Sequence, residues 1–328
     1  MRRVLSLDLK ARPPFSFELT VKKPAGWHWS TPDERYDALA KTLRTTMRLE
    51  TSGRCIGVKL RGAGPNRVRV EAHARTPLAR EEREEFAFRV RHGLGVDEDL
   101  GAFYRLAARD PVLRGPARRL RGMRGGEFGS AFDRALLAIT LQMAPIKRSY
   151  QMMRGLLAHY GEAVSFDGVR VTHWPAPERL SKTSEAELRR RCLLGYRAKP
   201  VRALAREAAA GRAPTLRELL SLSREEARER LLGLPGIGDY SADIITPRPS
   251  MPLDVWSARI FGFLLEGRVP RDSRGAIARL KAKANKRWGR WAWHAFLYVA
   301  QDLPGLARDF RAPWLAKDWG IVLTPREP

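Results

Sequence analysis

Between two helical patterns, about 224–232 and 239–245, stands Leu234-Pro235-Gly236-Ile237-Gly238, a stretch whose residue types and spacing suit one kind of chemistry. Ser223 and Glu226 have the spacing of a capping box at the start of the first helix. Glycines at 236 and 238 permit a turn with no Cβ in the way, and the backbone N–H groups opening the next helix point outward at an anion. The predicted element is a helix–hairpin–helix over about 224–246 that holds a nucleic-acid strand by its phosphates without reading its bases. A plain glycine-capped turn is the competing reading. Fourteen residues after Tyr240, in Met251-Pro252-Leu253-Asp254-Val255-Trp256, a carboxylate falls where a further helix begins. Taken alone, Asp254 is an N-cap.

The charge of the chain supports the anion-binding reading. Its 328 residues carry 61 Lys and Arg against 36 Asp and Glu, a net charge of +25 with pI near 11.0, and such an excess draws polyanions. A basic soluble protein or a membrane-surface binder is the alternative. Basic residues recur in three runs: Arg114, Arg118, Arg119, Arg121 and Arg124; Arg189 to Arg191, Arg197, Lys199 and Arg202; and Lys281, Lys283, Lys286, Arg287 and Arg290. Two cysteines, Cys55 and Cys192, exclude a disulfide framework and any four-cysteine metal or iron–sulfur site. The six histidines form no HExxH or clustered ligand set. No apolar run reaches the roughly 18 residues of a spanning helix, and the charged N-terminus lacks the form of an export signal, so the expected address is the cytoplasm, on the nucleoid.

The elements that must hold the hairpin fall into an α+β chain of two domains. Over 1–96, period-two patterning predicts antiparallel strands at Arg2–Lys10, Phe15–Val21, Cys55–Leu60 and Arg67–His73, with helices at 33–42 and 78–91. Over 97–328 the patterning is helical, at about 98–109, 129–143, 146–160, 184–192, 198–209, 215–220, 224–232, 239–245, 255–266, 273–287 and 290–301.

The order hairpin, short helix, proline, aspartate, helix resembles the helix–hairpin–helix DNA glycosylase superfamily, and 3-methyladenine DNA glycosylase II within it. The likeness extends to Ala131-Phe132, Ala138 through Met143, His159-Tyr160-Gly161-Glu162, Pro175 through Leu180, Leu193 through Lys199 and Arg287 through Trp291. It covers about 110–302, and Phe17–Trp29 is similar, more weakly, to the N-terminal β domain of that type and of the 8-oxoguanine glycosylases. The resemblance makes Asp254 the catalytic aspartate. Members that also nick the strand have a lysine where this chain has Tyr240, so the resemblance implies a monofunctional enzyme with water as nucleophile. Tyr240 and Trp256 would wall the base pocket, with Trp27, Trp29 and Trp293 as further stacking faces; each is also an ordinary packing residue. Gln142 and Met143 fall where the family inserts a side chain into the gap left by an everted nucleotide, though Met143 also reads as core. Gly236, Gly238, Arg197 and Lys199 would contact DNA, and the carbonyls of Leu232, Leu234 and Ile237 would hold a structural Na⁺ or K⁺. No cofactor is implied for catalysis.

Two departures concern the pocket. The interval from Tyr240 to Asp254 is several residues shorter than in the bacterial alkylation enzyme, with Pro247 and Pro249 cutting the second hairpin helix short. The family's pocket tryptophan in the last helix falls at Ala300. The resemblance implies a monomer acting on duplex DNA with one damaged base, an alkylated purine such as 3-methyladenine. Alternatives are a glycosylase for oxidised or deaminated bases, 8-oxoguanine or hypoxanthine, and a non-catalytic DNA-binding protein.

Overall fold

The computed structural model describes residues 1–25, 30–125, 129–246 and 251–317. Trp27, Trp29, Pro247 and Pro249 lie outside the described residues.

The N-terminal part runs β1 (Arg2–Lys10), α1 (Phe17–Val21), β2 (Arg35–Asp37), β3 (Thr42–Arg48), β4 (Cys55–Gly62), β5 (Arg67–Ala74) and α2 (Arg80–Leu94). The strands form one antiparallel sheet in the order β1-β5-β4-β3-β2. Alternation decides its faces: on β5, Val68, Val70 and Ala72 are buried while Arg67 and Arg69 face water. The buried face packs on Phe86, Val90 and Leu94 of α2.

Two expectations fail in this part. Phe15–Val21, predicted as a strand, holds helix α1, because Ser16 accepts from the Leu19 N–H and Phe17, Thr20 and Val21 bury at helical spacing. Residues 33–42, predicted helical, give β2 and a turn into β3; Tyr36 is buried there, whereas Leu39 is 99% exposed at the turn.

The rest runs α3 (Gly101–Arg109), α4 (Arg114–Arg119), α5 (Ala131–Leu141), α6 (Ile146–Tyr160), β6 (Glu162–Phe166), β7 (Val169–His173), α7 (Pro177–Lys182), α8 (Glu185–Cys192), α9 (Ala198–Ala209), α10 (Leu216–Ser221), α11 (Arg224–Leu232), α12 (Asp239–Ile245), α13 (Val255–Glu266), α14 (Ser273–Trp288), α15 (Ala292–Gln301) and α16 (Leu303–Asp309). The hairpin β6–β7 was not anticipated. Its two-residue turn, Asp167-Gly168, has φ of 45° and 75°, the conformation that suits a tight antiparallel pair. Val164, Phe166 and Val171 pack it on Cys55, and Asp167 accepts from Arg44 at 2.7 Å and Lys59 at 2.9 Å.

The helices bury two cores. One gathers α5 to α12, residues 131–245; the other gathers α3 and α4 with α13 to α16, residues 100–123 and 251–315. The chain therefore crosses between two helical lobes twice, and Asp254 stands just past the second crossing.

Buried polar groups tie α5 to the N-terminal part. Glu50 accepts from the N–H groups of Ala131 at 3.3 Å and Leu216 at 3.2 Å, the first residues of α5 and α10; burial raises its pKa against the pull of Arg89. Asp133, fully enclosed, lies 3.3 Å from His173, whose other ring nitrogen is 2.9 Å from Thr46. Burial works to raise the Asp133 carboxyl, but His173, Arg48 and the Ser130 hydrogen bond outweigh it and hold it at about 2. The start of α5 is thereby anchored, and its other end, about 16 Å away, carries Gln142.

Candidate active site

Asp254 caps α13. Its Oδ1 accepts from the Ser257 N–H at 2.7 Å and the Ser257 hydroxyl at 2.6 Å, while its own N–H donates to the Ser257 oxygen at 2.8 Å. Among the described residues Oδ2 has no partner, and the side chain is partly open to solvent. Tyr240, half-buried on the first turn of α12, lies close enough to feel this carboxylate: burial first, then the Asp254 charge, push its phenol well above the ordinary range. Trp256, two residues on, is 42% exposed. A carboxylate and a phenol ring thus approach each other where the lobes meet, the kind of junction at which ligand sites form.

The hairpin is the predicted one, α11 and α12 joined through residues 233–238. Gly236 has φ of +78°, and a Cβ there would lie 2.6 Å from the Pro200 Cβ, so both conformation and packing exclude a side chain. Gly238 differs. Its φ is −107°, open to any residue, and a Cβ would meet nothing within 4 Å. What its missing side chain leaves is clearance in front of the α12 N-terminus. Lys199, exposed, precedes Pro200 at the same edge.

Gln142 ends α5, and its side-chain amide donates to the Gly236 carbonyl at 2.8 Å and the Ser241 hydroxyl at 2.7 Å. That side chain ties the hairpin rather than standing free. Met143 takes the exposed place: it is 74% exposed with φ of +46°, a conformation costing about 1–2 kcal/mol for such a residue and kept only where its surroundings impose it. Arg197 supplies part of that imposition. It is buried, lies 4.4 Å from the Tyr196 ring centre, and donates to the Gln142 carbonyl. The residue predicted as a DNA contact therefore reaches the protein backbone instead.

Much of the basic charge is likewise spent internally. Arg119 binds Asp302 at 2.7 Å and Asp309 at 2.6 Å, Arg287 binds Asp110 at 2.6 Å, Lys281 binds Asp243 at 2.5 Å and Lys283 binds Glu266 at 3.0 Å, while Arg124 is fully buried. Three residues of the site escaped the sequence reading. Ser257 had a signal, standing three positions after an N-cap aspartate. Arg134, buried and donating to the Ile244 carbonyl at 2.7 Å, and Arg274, whose Nη2 lies 3.8 Å from the Met143 sulfur, had none. Trp293, half-buried, stacks on Phe296.

The carbonyls of Leu232 and Ile237 accept no backbone hydrogen bond among the described residues, and that of Leu234 accepts one, from Ile237 at 3.2 Å. Those oxygens suit a hard cation. Among the described residues no group of three or more His, Cys, Asp or Glu could hold a metal ion, and no helix is long and apolar enough to cross a membrane.

No protein-family model matches the chain. A DNA-3-methyladenine glycosylase of Bacillus subtilis is 23% identical over 172 residues, 52% of this chain and 56% of that protein. DNA-3-methyladenine glycosylase 2 of Escherichia coli is 27% identical over 199 residues, 61% and 64% of the two chains, and a probable N-glycosylase/DNA lyase of Methanothermobacter thermautotrophicus is 25% identical over 202 residues, 55% and 62%. The chain thus spans less than two thirds of the length of each. In fold it is similar to a 3-methyladenine DNA-glycosylase of Archaeoglobus fulgidus, with a TM-score of 0.70 over 90% of this chain and 98% of that one at 20% identity. In sequence the chain is thus similar to DNA glycosylases, and in fold to a 3-methyladenine DNA-glycosylase.

Proposed function

We propose that this protein is a monofunctional DNA glycosylase that hydrolyses the N-glycosidic bond of an everted damaged nucleotide in duplex DNA, with an alkylated purine such as 3-methyladenine as substrate. The observation that carries this reading is the Oδ2 of Asp254, without a partner among the described residues, near Tyr240 at the lobe junction.

A stacked base is out of reach of a carboxylate, so the nucleotide must first leave the helix, at a cost of a few kcal/mol that is least for a damaged base. Met143 fills the gap it leaves. As the bond from C1′ to the base nitrogen lengthens, its electron pair goes to the base and the sugar becomes an oxocarbenium ion. Asp254 Oδ2 stabilises that charge more than it stabilises the neutral sugar, which is catalysis by differential binding. A water oriented by the same oxygen adds to C1′ and releases its proton through the carboxylate to solvent. A 3-methylated adenine is cationic before cleavage and departs neutral, so little acid catalysis is required, and Tyr240 and Trp256 supply faces against which such a base stacks. Tyr240 stands where a lyase would need an amine, which supports hydrolysis alone. The oxygens of Leu232, Leu234 and Ile237 would hold Na⁺ or K⁺, adding positive charge at the hairpin's phosphate seat.

The test is Asp254→Asn. Asparagine caps a helix as well as aspartate does, so α13 keeps its start while the charge is lost. Abasic-site formation in methylated duplex DNA should fall at least about a hundredfold, on the scale of losing one preorganised electrostatic group. Unchanged release, or none by the parent, would defeat the proposal. Borohydride should trap no covalent adduct with DNA; a trapped adduct would mean that a lysine attacks the sugar.

A further inference from the structure

The first turn of α14, at the end of the loop from α13, stands against Met143 from the opposite lobe, with Arg274 Nη2 3.8 Å from the methionine sulfur. This loop and its margin carry Arg268, Arg271 and Arg274, all exposed. Neighbouring cations are neutralised: Arg279 and Lys283 hold Glu266 at 3.1 Å and 3.0 Å, and Lys281 holds Asp243 at 2.5 Å. Arg268, Arg271 and Arg274 have no carboxylate within ion-pair distance among the described residues. The one acid between them, Asp272, is occupied as the N-cap of α14, accepting from the Gly275 N–H at 3.0 Å. Three uncompensated guanidinium groups on one short segment make a local field for an anion.

We propose that this loop is a second backbone clamp, which binds phosphates of the strand lying across the minor groove from the strand held by the hairpin. The inference rests on the DNA-binding reading above and extends it to the complementary strand. Met143 decides the placement. Its base is tied to the hairpin through Gln142, and its tip touches Arg274, so it stands between hairpin and loop. Apolar side chains that unstack a duplex enter through the minor groove, which is only about 6 Å wide and is flanked by one backbone of each strand. With the hairpin on one backbone, the loop falls on the other.

The experiment compares the parent with the variant Arg268→Gln/Arg271→Gln/Arg274→Gln, as full chains, by fluorescence anisotropy over a series of KCl concentrations. The probes are a short duplex with one abasic-site analogue and the single strand carrying the same analogue. Removing one cation from a duplex phosphate lowers the slope of log affinity against log salt by about 0.9, so the variant's slope should be shallower by about 2 to 3. Its affinity and slope on the single strand should equal the parent's. An unchanged duplex slope would overturn the clamp, as would equal weakening on duplex and single strand. Those results would leave the glycosylase reading intact if the parent releases base; a parent that binds no duplex would sink both. Urea midpoints verify folding, and should the triple variant be destabilised, Arg271→Gln alone carries the test with a slope change of about 0.9. Arg279→Gln/Lys283→Gln, at cations already paired with Glu266, serves as the control that should leave the slope unmoved.

Discussion

The two hairpin glycines, alike in sequence, should separate stability from binding. In Gly236→Ala the new side chain is forced into the left-handed region, at about 1–2 kcal/mol. Its Cβ would also sit 2.6 Å from the Pro200 Cβ, and relieving such crowding typically costs about 1–3 kcal/mol. Alanine's smaller unfolded-state entropy returns about 0.4–1 kcal/mol, leaving a net loss of about 1–5 kcal/mol. In Gly238→Ala the backbone is unstrained and the space is empty, so stability should hold or rise by up to about 0.4–1 kcal/mol. The methyl group would, however, occupy the clearance in front of the α12 N-terminus. If a phosphate sits there, affinity for duplex DNA should fall at least about tenfold, or about 1.4 kcal/mol. Urea denaturation and anisotropy on the same preparations give both numbers. A Gly238→Ala protein that binds as tightly as the parent would refute the hairpin as the phosphate seat, and a Gly236→Ala protein of parental stability would refute the packing argument.

Arg197→Ala should cost about 2 kcal/mol of stability, the worth of a charged hydrogen bond, and weaken DNA binding by loosening the Met143 turn. Its salt slope should stay parental, since Arg197 touches a carbonyl and no phosphate; a slope lower by about 0.9 would restore it as a direct contact. Lys199→Ala should do the reverse, lowering the slope by about 0.9 with stability unchanged. His92 is held down at about 4 by burial and by the Arg134 charge, against the opposing pull of Glu98. A histidine that stays neutral in the fold contributes stability above its unfolded pKa near 6.5, and that contribution is lost as pH falls through about 4. The urea midpoint should therefore drop between pH 7 and 4 by an amount worth about 1–3 kcal/mol, and His92→Gln should flatten that part of the profile. A variant with the parent's pH slope would contradict the assignment.

What was legible in the sequence follows from how local each signal is. Strand β1, the hairpin helices α11 and α12, and α6 and α13 were read with the bounds they have, because one period or one cap decides them within a few residues. The hairpin, Asp254 and Tyr240 were legible as a unit for the same reason, lying within thirty-odd residues of chain. Phe15–Val21 failed because two phenylalanines flanking a serine mimic alternation, while the cap that starts α1 is made by that serine. Residues 33–42 failed because helix-forming alanines and Leu39 occupy a turn that faces water. The β6–β7 pair carried an Asp-Gly signal that was overlooked among helices. The burial of Arg197, the amide of Gln142 on Gly236 and the approach of Arg274 to Met143 pair residues 55, 94 and 131 positions apart, and no periodicity encodes such meetings.

The two readings of Asp254, cap and catalytic group, turn out not to compete. A carboxylate has two oxygens, and among the described residues both hydrogen bonds to the side chain arrive on one of them, from the backbone and the hydroxyl of Ser257. The reciprocal bond from the Asp254 N–H to the Ser257 oxygen fixes the backbone as well. Capping therefore occupies only Oδ1 and in return restricts the rotation of Oδ2, so under the proposed mechanism the charge that would face a developing oxocarbenium ion is aimed before substrate arrives. An aspartate in this place is a good helix start because it is held, and being held is what the proposed electrostatic catalysis at C1′ would require of it.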